Sequence, residues 1–472
     1  MFLIIVVKKS FGLFFFVLFS SIFSYSQKQH EASTTCIINK IIISGNTLTK
    51  EDVVKRELEF ELGEEISLYE LPELIERSRE NLLNTSLFNF VTITYTCDSN
   101  NLAMIIDMQE RWYVWPYPVL EHADRNFSSF LKNQEWSRIN YGLYLLINNF
   151  RGRKEILKLK TIFGFNNELN LFYYKPYVDK NQKIGIGLDL RYIRNHEVPF
   201  NVFNDELEYL NLTNQYAREK LQIYNFYTYR PQLYTNHLFN LKYSNVSIND
   251  SVLILNDNYF FEQNSNIEFI TLGYIFDYDK RNSKIYPLEG IRINLLIQKE
   301  GLGVFSSYGN FKFRTILDEN IRLAQKFFLT TSITGQLYIK NKNSFYFSEA
   351  IGYDNYLRGM EYYVSNGNSF YISKANFKYE IIPQTNFNIN IIPTAKFSKV
   401  HFALYTNIFF DTGYVDSNYS MNNAITNEFL YSGGIGLDLV TYYDKVLRIE
   451  YSLNKFGEQG IFVHLGAPLI EE

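Results

Sequence analysis

Past Phe127 the chain alternates between apolar and polar residues with a period of two almost without interruption. In "KIGIGLDLRY" one set is Ile184, Ile186, Leu188, Leu190 and Tyr192, and the other is Gly185, Gly187, Asp189 and Arg191. "IRINLLIQ" sets Ile291, Ile293, Leu295 and Ile297 against Arg292, Asn294 and Gln298. "VLRIEYSLN" does the same with Leu447, Ile449, Tyr451 and Leu453 against Arg448, Glu450, Ser452 and Asn454. Successive side chains of a strand point to opposite faces, so each segment has one oily and one wet side. Turn signals such as "FRGR", "FNNE" and "YRPQ" separate the segments and leave room for about sixteen strands. Soluble sandwiches of that many strands would need two or three domains and linkers, and no linker is visible. Asp, Arg and Glu flanked by Gly suit a water-filled lumen, whereas Ile, Leu, Val, Phe and Tyr suit lipid and aromatic girdles. The high aromatic content, Phe 41 and Tyr 38, fits the same picture. The fold class expected is mainly β: a sixteen-stranded antiparallel transmembrane β-barrel over residues 127–472.

The N-terminus has the parts of a secretory signal peptide over residues 1–26: Lys8 and Lys9, an apolar run from Phe11 to Phe23, and Ser24-Tyr25-Ser26 before Gln27. A membrane anchor is the alternative, but the lysines split the apolar stretch below the ~20 residues that a spanning helix needs. No later run reaches that length. Lys+Arg 46 against Asp+Glu 50 gives no electrostatic case for nucleic acid. Cys36 and Cys97 have two open states, a disulfide in an oxidising compartment or two free thiols.

Residues 36–111 read as a small α+β domain of order βααββ. "CIINKIIISGN" is a strand ending in a Gly45-Asn46 turn, and Thr49 is placed to cap a helix from Lys50 to about Phe60. Ser67 to Glu70 is a capping box ahead of Leu71, Leu74, Ile75, Ser78 and Leu82 at helical spacing. "FVTITYTCDSNNLAMIIDMQE" is two strands about a turn. Residues 112–126 then read as a linker. The domain has no histidine and no catalytic constellation; its exposed sheet edge suits the addition of an extended peptide.

"NIFFDTGYV" contains Asp-Thr-Gly, the sequence in which an aspartic protease presents its carboxylate. Such catalysis takes two aspartates sharing a proton, and this chain has one Asp-Thr-Gly, set in a long strand array. Alternation places Phe409, Asp411 and Gly413 on the lumen face, and Ile408 and Phe410 towards lipid. The six histidines have no metal spacing and no phosphate loop is present, so neither an enzyme nor a cofactor is expected.

In order along the chain stand "IIISGNTLTKEDVVKREL" and "LLNTSLFNFVTI", "ERWYVWPYP" with "ADRNF", "FDYDKRNSKIYPLEG", "YDNYLRGMEYY" and "FFDTGYV". That series resembles the BamA/TamA-type outer-membrane family, in which periplasmic POTRA modules precede a sixteen-stranded barrel. The resemblance implies a POTRA domain at 36–111. It implies an aspartate-rich mid-barrel turn at Asp277, Asp279, Arg281, Pro287 and Gly290. It also implies a loop arginine, Arg358 beside Gly359, that folds into the lumen onto Asp411, with Phe409 and Gly413 alongside and Gly413 leaving room for the loop backbone. A solvated Asp411 without a partner is the alternative.

The function implied is an assembly or insertion factor in the bacterial outer membrane, with its POTRA domain in the periplasm. That domain would capture unfolded client strands. The seam between a first strand near Arg138 to Asn149 and a last near Gly460 to Gly466 would template or translocate them. The expected partners are unfolded outer-membrane or secreted polypeptides, outer-membrane lipid and accessory lipoproteins. A two-partner-type polypeptide secretion pore and a passive outer-membrane channel are the alternatives. A single POTRA module points to an accessory member, and "GIFVHL" ahead of "GAPLIEE" is an atypical assembly signal.

Overall fold

The computed structural model describes residues 35–98, 100–122, 138–305, 308–392, 394–418, 423–443 and 445–466. The expected signal peptide and the "ADRNF" junction lie outside them. The N-terminal domain comprises β1 (Thr35–Ser44), α1 (Glu51–Lys55), β2 (Glu65–Ser67), α2 (Leu71–Asn84), β3 (Phe88–Asp98) and β4 (Asn101–Glu110). Its sheet order is β2-β1-β4-β3, with β1 parallel to β4 and the other pairs antiparallel. Ile38, Val54, Leu71, Leu82, Leu102, Met104 and Ile106 form a dry core between the sheet and the helices.

Three local expectations differ. The sheet has four strands, because β2 pairs with the start of β1. Helix α1 stops at Lys55, and the chain that follows turns Leu58 and Phe60 into the core while Glu57 faces the barrel. Neither cap forms as read. The Thr49 backbone N–H donates to the Glu110 carboxylate at 2.7 Å, and α2 begins with proline in its first turn, where a missing N–H costs nothing.

Four short strands of the remainder form two separate two-stranded ladders, and the other sixteen form one antiparallel sheet. Its inside-out pattern is clearest in the fifteenth strand, Lys445–Asn454. There Arg448, Glu450, Ser452 and Asn454 are buried, while Ile449, Tyr451 and Leu453 are exposed. Ile184, Ile186, Ile291, Ile297, Ile408 and Phe410 continue the exposed apolar face. Burying charge and exposing aliphatic surface is unfavourable in water and favourable in a bilayer around a wet lumen.

The sheet starts inside the stretch read as a linker, residues 112–126, and ahead of the barrel start expected at 127. Val114–His122 is its first strand, paired from Val114↔Ile147 to His122↔Ile139, and Ile139–Phe150 is the second strand. The segment "VWPYPVLEH" hides this because two prolines argue against a strand, yet proline is tolerated at a sheet edge, where this strand lies. Only Arg111 to Tyr113 separate the two domains. The sheet curls until Trp115 of the first strand stacks edge-on against Tyr443, at 5.2 Å, in the turn after the fourteenth. Among the described residues no ladder joins the first strand to the last, Gln459–Gly466.

Both ends and the interior are occupied. The N-terminal domain sits over one end. At the other, residues from the turns, including Tyr259, Phe260, Phe261, Phe345 and Phe347, pack with Val198 and Val202 of a small hairpin into an aromatic cap. The long connection between Phe327–Ile339 and Ser369–Asn388 folds inward from that cap.

Candidate functional site

The centre of the lumen is an ion-pair network at the apex of that inward loop. Arg358 is 2% exposed and Asp411, on Lys399–Asp416, is 0% exposed. The guanidinium grips the carboxylate in a fork, Nε to Oδ2 at 2.9 Å and Nη2 to Oδ1, and the Arg358 backbone N–H adds a bond at 3.1 Å. Nη1 reaches Asn376 at 2.5 Å and Glu450 at 3.2 Å, and the Phe409 ring lies 3.9 Å beneath the guanidinium carbon. Planar, charge-assisted and stacked on an aromatic face, this is a geometry lysine cannot reproduce.

The neighbouring glycines have separate tasks. Gly359 has φ +79°, and its carbonyl accepts from Asn454 at 2.9 Å, so the loop apex also rests on the fifteenth strand. Gly413 makes room for a side chain and not for the loop backbone: a Cβ there would lie 2.9 Å from Leu357 Cδ1. Asn376 and Glu450 belong to this site without a motif of their own in the sequence. Glu450 was visible as a charge on the polar row of its strand.

The aspartate-rich turn is a second plug. Asp279 holds Arg281 through two bonds of 2.8 Å, and Asp277 takes Arg292 and Asn294 at 2.9 Å each. Gly290 has φ +101°, and a Cβ would sit 2.2 Å from the Lys280 carbonyl oxygen. From this turn Tyr286 crosses the lumen and donates to Asp438 at 2.7 Å, and Asp438 also takes Arg448 at 2.8 Å. The Pro287 carbonyl accepts from Lys378 at 3.2 Å. The turn thus braces one wall against the opposite one, through Tyr286, which was not among the expected residues.

The small domain is latched to the barrel by a third cluster that the sequence did not point to. Arg230, in the turn after the sixth strand (Arg218–Tyr229), donates to both oxygens of Glu57 at 2.7 Å, and Lys154 lies 3.4 Å away. Burial pushes the Glu57 carboxyl up, but Lys154 and Arg230 more than reverse this and hold it well below the usual carboxylate range. Tyr234 bonds Glu59, and Asn84 bridges to the carbonyls of Arg281 and Asn282 at 3.3 Å. In the small domain Cys36 and Cys97 are free thiols with sulfurs 3.1 Å apart.

Against known proteins, the POTRA family, described as "Surface antigen variable number repeat", matches residues 36–111. No curated protein sequence matches the chain. Among solved structures, BamA from Haemophilus ducreyi lacking POTRA domains 1–3 is similar at 16% identity and TM-score 0.50, over 91% of this chain and 84% of that one. CdiB from Escherichia coli is similar at 9% identity and TM-score 0.52, over 92% and 76%. At these identities the likeness is one of fold. The chain thus joins a segment that matches the POTRA family, residues 36–111, to a sixteen-stranded sheet with a fold similar to those two structures.

Proposed function

We propose that the protein is an outer-membrane assembly or insertion factor, with the POTRA domain on the periplasmic side, that handles unfolded polypeptide strands at the wall of its barrel without catalysis or cofactor. The observation that carries this reading is a lumen filled by the Arg358 loop and the Tyr286 turn, inside a sheet whose two edges are not joined by a ladder among the described residues. A passive channel needs an open lumen, and a secretion pore needs both plugs withdrawn. An insertion factor needs neither; it needs an edge in contact with lipid. Backbone groups unsatisfied in hydrocarbon are costly, so an open edge favours pairing with an incoming strand. The outer edge of β3, free of proline, supplies the earlier capture step by the same main-chain chemistry.

Depletion tests the reading. Loss of an insertion factor lowers many unrelated outer-membrane barrels together. A dedicated secretor would instead strand one partner in the periplasm, and a passive channel would leave the outer-membrane protein profile unchanged; either result refutes the assignment.

A further inference from the structure

Two neighbouring strands of the barrel are longer than a bilayer requires. A strand that crosses hydrocarbon needs roughly 9–11 residues. The twelfth strand, Ser369–Asn388, has 20 and the thirteenth, Lys399–Asp416, has 18. The twelfth loses its outer neighbour at Phe327↔Tyr379 and the thirteenth at Phe402↔Thr441, yet the two stay paired as far as Asn388↔Lys399. They run on as a ribbon whose free side is roughly 20 Å long at about 3.3 Å per residue. Register shifts on either side of Ile382 bend such a ribbon out of the line of the wall. Its tip comes back to the rim. The Lys396 carbonyl accepts from Asn89 at 3.2 Å and from the Tyr442 hydroxyl, and the Phe397 ring lies 6.2 Å from both Trp112 and Trp115 and 5.7 Å from Tyr443. The ribbon therefore follows the rim of the barrel and ends beside the first strand.

Its two faces are unlike. Cross-strand partners share a face, so Phe387 lies with Val400 and Thr385 with Phe402, in the row that Leu404, Ile408 and Phe410 turn to lipid. Phe387 and Phe402 meet edge to face at 5.6 Å. Phe387 is 43% exposed, and Ile391 at the tip is 93% exposed. The opposite face carries Asn386, Asn388, Lys399 and His401 and rests on the small domain. There His401 stands edge-on to Phe90 at 6.4 Å, and the Lys399 ammonium lies 4.2 Å over the same ring. From Ile381 to Phe402 no Asp or Glu occurs, while Lys396 and Lys399 bring positive charge. Trp and Tyr collect at the level of lipid headgroups, and Trp112, Trp115 and Tyr443 around the tip set its height there.

We propose that this ribbon is a membrane-lying arm whose partner is the phospholipid of the periplasmic leaflet. Phe387, Ile391, Val400 and Phe402 rest in the headgroup region, and Lys396, beside Trp112 at 6.0 Å, meets the phosphates of anionic lipid. The polar face, through Lys399 and His401, holds the POTRA domain at a fixed height over the bilayer. Continuity selects lipid as the occupant: the apolar row is the lipid-facing row of the wall prolonged past its end, and the charge beside it has the sign that phosphate attracts. The inference rests on the barrel lying in a membrane and is independent of what the barrel does with polypeptides.

The test uses the full chain with Cys36→Ser and Cys97→Ser, reconstituted in phosphatidylcholine vesicles with or without phosphatidylglycerol. Heat-modifiable mobility checks that each variant is folded. Spin labels on Phe387→Cys, Ile391→Cys, Ile408→Cys and Leu62→Cys are compared for relaxation by oxygen, which concentrates in lipid, and by a water-soluble nickel chelate. Ile408 on the wall is the lipid standard, and Leu62 on the small domain, 67% exposed, is the water standard. The oxygen-to-nickel ratio at 387 and 391 should lie several-fold above that at 62 and below that at 408, as headgroup depth requires. Lys396→Gln should lower the ratio of docked to undocked arms by roughly fivefold with phosphatidylglycerol present and leave it unchanged in phosphatidylcholine alone. Phe387→Asp with Ile391→Asp should broaden the distances between labels at 62 and 408. Water-like values at 387 and 391 beside a lipid-like 408 overturn the arm. Water-like values at 408 as well overturn the membrane reading and the arm with it. A lipid-like arm whose aspartate variant leaves the 62–408 distances unchanged overturns its hold on the POTRA domain.

Discussion

Replacing Arg358 by alanine removes the fork to Asp411, the bonds to Asn376 and Glu450 and the stacking on Phe409, and leaves two carboxylates in a site from which water is nearly excluded. Breaking a buried pair from one side costs about 3–5 kcal/mol, because the remaining charge keeps its desolvation penalty. A cost of that size raises the fraction of chains with the loop released by roughly two to three-and-a-half powers of ten. The loop reports its own release through Met360→Cys in the Cys36→Ser, Cys97→Ser background. Position 360 is buried in the apolar cluster beneath the loop, so a membrane-impermeant maleimide labels it only from the released state. Its labelling rate then measures the open fraction. Asp411→Ala should release the loop by a similar route, and the double variant Arg358→Ala, Asp411→Ala should label more slowly than the two single effects combined, with a coupling of about 0.5–3 kcal/mol. Arg358→Lys keeps the charge and loses the fork, so its rate should fall between parent and alanine. Labelling of Arg358→Ala within about threefold of the parent, or strict additivity in the double variant, would refute the loop lock.

The latch predicts that Glu57→Gln leaves Arg230 and Lys154 facing an uncharged group, weakening domain docking by about 3–5 kcal/mol; spin-label distances between the POTRA domain and the barrel should broaden. Because the Glu57 carboxyl is depressed, its contribution is present above the unfolded value near 4.5 and is lost only as pH falls well below it, so docking in the parent should persist in mild acid. Glu80 has the opposite sign. Burial, then the nearby Glu76 charge, raise its carboxyl to about 7 from 4.5, so between these values the folded domain holds a proton that the unfolded chain releases, and stability falls as pH rises. Glu80→Gln should therefore increase hydrogen-exchange protection of α2 at pH 8 and leave it unchanged at pH 4. Mild oxidation should join Cys36 to Cys97 and raise the POTRA unfolding temperature in calorimetry by more than about 10 °C, reversed by reductant.

The alternation that marks the barrel is legible because it repeats a local rule many times. One misread residue does not change the face of the next ten. Ile449, Tyr451 and Leu453 declare the lipid side of their strand, and Arg448 and Glu450 declare the lumen, before any neighbour is known. The first strand is the exception. Pro116 and Pro118 are correct residues for an edge and wrong ones for an interior, and which of the two applies depends on strand order, a property of the whole sheet. Helix α1 ends before its sequence pattern does for a similar reason: Leu58 and Phe60 turn into the core once the chain leaves the helix after Lys55.

The site divides along the same line. The Arg358–Asp411 fork joins residues 53 apart, and it was expected through motifs that stand in a fixed order along the chain. Glu57 with Arg230 lies 173 residues apart, and Tyr286 with Asp438 lies 152 apart; neither pair has a local motif. These long-range contacts nevertheless decide how the molecule is built. Tyr286 ties one wall of the barrel to the wall opposite, Arg358 ties the inward loop to the strands near the seam, and Glu57 ties the POTRA domain over the mouth. With the interior cross-braced in this way, the least restrained part of the wall is the place where, among the described residues, no ladder joins the first strand to the last. On the proposed reading, the filled lumen and the open seam belong to one arrangement: fixing the interior confines movement to the wall.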